Sequence, residues 1–218
     1  LAALEKQGLL QRVHGGAMIL PVVTYERSYE ERACQHLAEK ERIGYAAAQY
    51  IRENDYIILN SGTTVFQVAK HIPRPILEWG NLTVITNSLP IVRVLGHWKG
   101  VHLILLGGLY LPAQDILVGP QTLSMLRNFH ADKMFLGTDG MTFSHGLTTS
   151  NILEAEIDKA MTEIASEIIV VADSSKVGAI GLTSIIPLTK AHKLITDSGV
   201  PADFVQALRE HGVEVIIV

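Results

Sequence analysis

The sequence predicts an α/β domain: a mostly parallel, Rossmann-like sheet with helices on both faces. Three observations carry the class. Short apolar runs alternate with amphipathic stretches from residue 55 to the end. The apolar runs are continuous and do not alternate apolar with polar, as strands covered on both faces do. Five of the runs end in small, polar turns, and in an open parallel sheet the ligand crevice lies outside the carboxyl ends of the strands.

The elements follow in order. Leu1, Ala3 and Leu4 give a short helical face that Gly8 stops. Residues 9–13 read as a strand, His14-Gly15-Gly16 as a hairpin turn and 17–20 as the return strand. A helix end, strand, Gly-Gly turn and strand fit the close of a winged-helix module; an ordinary N-terminal helix and hairpin fits the same pattern. Residues 21–38 read as a linker or arm whose mixed charges, from Tyr25 to Arg32, form a solvated face. Residues 38–53 read as a helix with Ile43, Ala46, Ala47, Tyr50 and Ile51 on one side. Strands are then expected at 55–60, 82–86, 101–106, 133–137, 167–172, 193–197 and 213–218. Helices are expected at 64–72, 89–97, 121–129, 152–166 and 201–211. The last strand could sit in the sheet or pair across an interface. The chain opens on Leu1 inside a structured element, so a longer protein is expected.

Composition narrows the function. With 48% hydrophobic and 18% charged residues over 218 positions, the chain can build a sizeable core and is not disordered. A net charge of −4 gives no footprint for nucleic acid in these residues as a whole. One cysteine, Cys34, excludes an internal disulfide and fits a reducing cytoplasm. It lies in the arm and does not read as a nucleophile. The apolar runs are far short of the ~20 residues that cross a bilayer. The nine histidines show no metal-ligand spacing, and no cofactor motif is present.

The turns supply the candidate site. Ser61-Gly62-Thr63-Thr64 lies between a strand and a helix. Gly62 lets the backbone approach an anion, and Thr63 and Thr64 add donors at a helix N-terminus; Ser61 or Thr63 could equally cap that helix. Thr86-Asn87-Ser88 caps the next helix or meets a ligand, and Gly107-Gly108 makes either a turn or room for a ligand. Asp139 brings a carboxylate to a strand end, for sugar hydroxyls or as a base, or simply as a turn residue. Asn151 and Glu154 have capping-box spacing, so Glu154 either reaches back to its own helix start or faces the other turns. Lys176, beside Ser174 and Ser175, is a point charge suited to phosphate or an ordinary surface lysine.

Taken in order, Leu4–Ala17, Glu39-Lys40 with Ile43-Gly44, 60–64, 84–88, 105–108, 131–137, 146–149, Asn151 with Glu154-Ala155, and 172–176 resemble the DeoR-type bacterial transcriptional regulators over nearly the whole chain. The resemblance implies a fold similar to that of ribose-5-phosphate isomerase and the CoA transferases, with residues 1–20 the end of an N-terminal winged helix-turn-helix, 21–38 a linker and 39–218 an effector-binding sensor domain. It implies a phosphorylated sugar as effector, held by Gly62, Thr63, Thr64, Asn87, Ser88, Gly107, Gly108, Asp139, Thr148, Asn151, Glu154 and Lys176. It also implies a repressor of a carbohydrate-utilisation operon, a homo-oligomer, dimer or tetramer, and operator DNA as partner through the part before Leu1. Only Arg12 and His14 of the wing remnant remain for DNA. Asn60 stands where an acidic residue is common, and Leu109-Tyr110 where more polar residues are common.

Three functions compete on these residues. A ligand sensor uses the turns to read a sugar phosphate. A sugar-phosphate isomerase uses Asp139 or Glu154 as base, and has no use for a wing at 9–17. A structural oligomerisation domain binds no metabolite at all.

Overall fold

The computed structural model describes residues 28–218 throughout and, before them, the backbone of 10–13, 16–19 and 22–23. β1 (Leu10–Val13) and β2 (Gly16–Ile19) pair antiparallel, and β3 (Val22–Val23) follows. The helix expected to end at Gly8 and the turn at His14-Gly15 lie outside the described residues, as does most of the stretch from Leu20 to Arg27. Then come α1 (Tyr29–Cys34), α2 (Leu37–Ala48), β4 (Tyr56–Leu59), α3 (Thr63–Lys70), α4 (Arg74–Trp79), β5 (Leu82–Thr86), α5 (Leu89–Leu95) and β6 (Val101–Leu105). A hairpin, β7 (Leu109–Leu111) with β8 (Ile116–Val118), leads to α6 (Pro120–Leu126) and β9 (Ala131–Leu136). After these come β10 (Gly140–Thr142), β11 (Gly146–Thr149), α7 (Ile152–Ile164), β12 (Ala165–Val171), β13 (Ala179–Ile180) and β14 (Thr183–Ile186). β15 (Lys193–Thr196), α8 (Ala202–Glu210) and β16 (Glu214–Ile217) close the chain.

The main sheet has seven strands in the order β16-β15-β12-β9-β4-β5-β6. Every neighbouring pair in it is parallel. The chain therefore winds outward twice from the middle, first through β4, β5 and β6, then through β9, β12, β15 and β16. The direction reverses between β4 and β9. At such a switch point the two strand-end loops diverge to opposite faces and leave a crevice.

Apolar side chains fill both faces. Ile58, Met134, Leu136, Val170 and Leu194 pack with α6, α7 and α8 on one side. Ile57, Leu59, Val84, Phe135, Val171 and Ile195 pack with α2, α3, α4 and α5 on the other. The alternation of Ile57, Ile58 and Leu59 between the two cores is the period of a strand. It explains why these runs are apolar without a break.

All seven main-sheet strands and the five helices predicted after residue 60 lie where the sequence places them, within a few residues, and α4 is an additional helix. β16 joins the sheet edge beside β15, the first of the two places left open for the last strand. Two expectations fail. The helix at 38–53 stops at Ala48, although Ile51 remains buried. Asp55 Oδ2 accepts the Arg52 N–H at 2.7 Å and Asn54 takes φ 63°, a local turn that pulls the chain toward β4. The arm is also not wholly a solvated strap. Ser28 and Glu31 form a reciprocal capping box that starts α1.

Candidate functional site

A pocket opens at the switch point. Ser61 and Gly62 after β4, Gly137, Thr138 and Asp139 after β9, Glu154 and Asp158 from α7, Lys176 after β12, and Arg32 and Lys40 from α1 and α2 all line it. Asn60 ties the two sides of the crevice together. Its Oδ1 accepts the Gly137 N–H at 3.0 Å, and its Nδ2 donates to Asp158 Oδ1 at 3.1 Å.

Helix α3 starts at the pocket without a side-chain cap. Its N-cap is Gly62 at φ 119°, a conformation that favours glycine. A Cβ there would meet nothing within 4 Å, so the constraint is backbone strain and not crowding. Ser61, an expected cap, donates instead to Glu154 Oε1 at 2.5 Å. Among the described residues, no acceptor takes the backbone N–H of Thr63 or Thr64. First-turn N–H groups left open in this way, with the partial positive charge of the helix end, suit an anion.

The carboxylates form the opposite wall. Asn151 accepts the Leu153 and Glu154 N–H groups, half of a capping box. Glu154 does not complete it; its second oxygen accepts the Thr149 hydroxyl at 3.0 Å. Burial pushes the Glu154 carboxyl up, and the nearby Asp139 charge adds to the rise. Burial pushes Asp158 well above the usual carboxylate range, with Glu154 one helical turn away adding to it. Asp139 accepts the Ser150 N–H at 2.9 Å and meets Arg32 Nη1 at 3.3 Å.

The cations come from three elements. Arg32 is mostly buried, and its Nε and Nη2 have no hydrogen-bond partner among the described residues. Lys40 is 3% exposed and donates to the Arg32 carbonyl at 2.5 Å. Burial lowers its ammonium to about 8. Lys176 is half-buried in the short turn Ser174–Lys176, and no hydrogen bond or ion pair among the described residues engages its Nζ.

Six of the sequence-predicted effector residues meet here: Gly62, Thr63, Thr64, Asp139, Glu154 and Lys176. The other six do not line the pocket. Asn87 and Ser88 are covered by the β7–β8 hairpin. Asn87 donates to the Leu117 carbonyl at 3.0 Å, and Ser88 bridges to Ile116. Gly107 accepts the Thr122 hydroxyl, and a Cβ on Gly108 would sit 2.4 Å from the Val118 carbonyl. Those glycines serve close packing against β8 and α6. Thr148 turns its hydroxyl to the Gly140 carbonyl and the Gly181 N–H, leaving Thr149 to face the pocket. Asn151 caps α7. Arg12 lies in β1, of which only the backbone is described, and His14 lies outside the described residues.

Sequence reasoning gave no site role to Arg32, Lys40, Thr149 and Asp158. For Lys40 and Asp158 a signal exists: each falls on the apolar stripe of its helix, Lys40 three before Ile43 and Asp158 three before Met161. A charge on a buried stripe marks a site. For Arg32 no periodicity gives a sign.

The family model described as the DeoR C-terminal sensor domain matches residues 35–198. A protein named for repression of the aga operon in Escherichia coli O157:H7 is 37% identical over the whole chain, which spans 80% of that protein. The transcriptional regulator IolR of Bacillus subtilis is 32% identical over 95% of the chain and 81% of its own length. The repressor GlcR of the same organism is 33% identical over the whole chain and 82% of its length. These relatives are transcriptional regulators, not enzymes. Among solved structures, ribose 5-phosphate isomerase A of Methanocaldococcus jannaschii aligns at TM-score 0.45 and 16% identity, over 63% of this chain and 53% of that one. The eIF2B delta subunit of Chaetomium thermophilum aligns at TM-score 0.47 and 18% identity, over 72% of this chain and 58% of that one.

Proposed function

This chain belongs to the DeoR family of transcriptional regulators, whose C-terminal sensor domain it contains, and we propose that its switch-point pocket binds a phosphorylated sugar as effector. The observation that carries the reading is the uncapped start of α3 at Gly62, facing the unpaired ammonium of Lys176. The phosphate sits against the N–H and hydroxyl groups of Thr63 and Thr64 and the Lys176 charge. Sugar hydroxyls reach the carboxyl groups of Asp139 and Glu154 on the other wall.

The carboxyl groups suit recognition better than catalysis. Each already holds hydrogen bonds from neighbouring hydroxyl or backbone groups, and Asp139 also faces a guanidinium. A base for carbon acids needs a free lone pair aimed at the substrate. A purely structural domain would have no reason to leave helix N–H groups and a lysine unpaired around a cleft.

In the whole protein, residues 1–20 end a DNA-binding winged helix, 21–38 link it to the sensor, and a recognition helix before Leu1 reads the operator. The regulator acts in the cytoplasm as a dimer or tetramer that represses a carbohydrate-utilisation operon. Effector binding shifts the assembly only as far as its affinity differs between the two arrangements. A thermal-shift screen with phosphorylated sugars and their unphosphorylated parents tests the reading. A phosphorylated sugar at 100 times its dissociation constant should add about 2.7 kcal/mol of stability. Equal response to the unphosphorylated parent, or none to any phosphorylated sugar, overturns it.

A further inference from the structure

The arm ahead of the sensor meets it at two places. β3 pairs in parallel with β13, which starts three residues after Lys176. α1 follows and carries Arg32 to the pocket. α1 has no fully buried residue, and among the described residues β3 and β13 exchange two residue pairs. Tyr29 meets the Phe66 ring edge-on at 6.3 Å and donates its backbone N–H to Ala113 at 2.7 Å. Two further ties of α1 end in the site: Arg32 Nη1 on Asp139 at 3.3 Å, and Lys40 on the Arg32 carbonyl.

The Arg32 contact is half-made. A guanidinium offers five N–H donors in a planar fork, and matches a carboxylate or phosphate with two parallel bonds. Here a single long contact is present, while Nε and Nη2 are buried without an acceptor. Buried donors left open are costly, and a second acceptor at this spot recovers that cost. Facing Arg32 across the cleft are Asp139 and Glu154; Lys40 and Lys176 flank it, and the open N–H groups of Thr63 and Thr64 lie in the same pocket.

We infer that Arg32 is an effector-binding residue supplied by the arm: its open Nε and Nη2 take the anionic group of the ligand and clamp α1 onto the sensor. The inference rests on the anion-binding reading of this pocket. It makes the site incomplete without the arm, and it makes the arm's docking depend on the ligand. Since the arm continues into the N-terminal part of the chain, ligand occupancy is then felt at the segment that leads to the DNA-binding module.

Inorganic phosphate, as the potassium salt against matched chloride, is the probe. Affinity is read by calorimetry, and amide exchange is read over 28–36 by mass spectrometry, on the chain as it stands. Phosphate should slow exchange across 28–36. Arg32→Gln should weaken phosphate about tenfold or more and abolish that slowing. Asp139→Asn, which removes the internal competitor for Arg32, should tighten phosphate and keep the slowing. Phosphate that binds the wild type with no change over 28–36, or Arg32→Gln within twofold of wild type, overturns the clamp and leaves the pocket reading standing. No phosphate binding to any of the three proteins overturns both. Arg32→Gln that melts as the wild type does, yet has lost affinity, separates a ligand contact from a structural one.

Discussion

Glu154 Oε1 lies 2.5 Å from Ser61 Oγ, so a hydroxyl in the loop after β4 donates to a carboxyl on α7 across 93 positions of the chain. Both groups are buried. The contact joins the loop after β4 to α7 and fixes the wall on which sugar hydroxyls would rest.

Ser61→Ala removes that donor and leaves Glu154 with the Thr149 hydroxyl alone. A buried carboxyl oxygen that loses its donor costs about 1–2 kcal/mol. Urea unfolding should show a drop of that size at constant m-value. An unchanged midpoint would mean that Glu154 does not depend on Ser61.

Lys176→Met tests the phosphate end of the pocket. The ammonium makes no ion pair among the described residues, so stability should stay within about 0.5 kcal/mol of wild type. A hydrogen bond to a charged group is worth about 1.5–3 kcal/mol, so affinity for the phosphorylated sugar should fall tenfold or more. Calorimetry showing unchanged affinity removes Lys176 from the site.

Gly108→Ala separates packing from binding at the double glycine. The new Cβ would stand 2.3 Å from Thr122 Oγ1 and 2.4 Å from the Val118 carbonyl, and the second atom is backbone. Overpacking of this kind costs about 1–3 kcal/mol. The melting temperature should fall while effector affinity, measured below the transition, stays put. Loss of affinity in a folded variant would return Gly107-Gly108 to the pocket.

The sequence patterns read the sheet well because continuous apolar runs have one physical cause, burial on both faces. They missed β7–β8, α1, α4 and the small sheet of β10, β11 and β14, all short and held by tertiary contacts. The site was half legible. Strand ends at β4, β9 and β12 gave Gly62, Thr63, Thr64, Asp139 and Lys176. Asn87 and Gly108 sit at strand ends too, and nothing local distinguishes them. Strand order decides: β5 and β6 lie on one side of the switch point, and a hairpin covers Asn87 and Ser88. Arg32 was illegible for the opposite reason. Its neighbours carry the mixed charge of an exposed face, and only the path of the arm turns it inward.

Asp158 gives the pocket a pH signature. Burial raises its carboxyl well above the ordinary range, and Glu154 shifts in the same direction. In the unfolded chain an aspartate titrates near 3.9. Between that value and the raised one, the folded protein holds a proton that the unfolded chain has lost. Stability contributed by the neutral carboxyl is therefore complete below about 3.9, declines as pH rises toward the folded value, and is gone above it. The slope is at most about 1.4 kcal/mol per pH unit for one such proton. Asp158→Asn keeps an oxygen for the Asn60 amide, which donates at 3.1 Å, and has nothing to titrate. Its stability relative to wild type should rise as pH climbs above about 4 and level off past the raised folded value, read by urea unfolding at each pH. Glu154→Gln should show the same trend. Parallel curves for wild type and Asp158→Asn would mean that Asp158 is ionised in the fold, and that the floor of the pocket carries a charge in place of a hydrogen-bond donor.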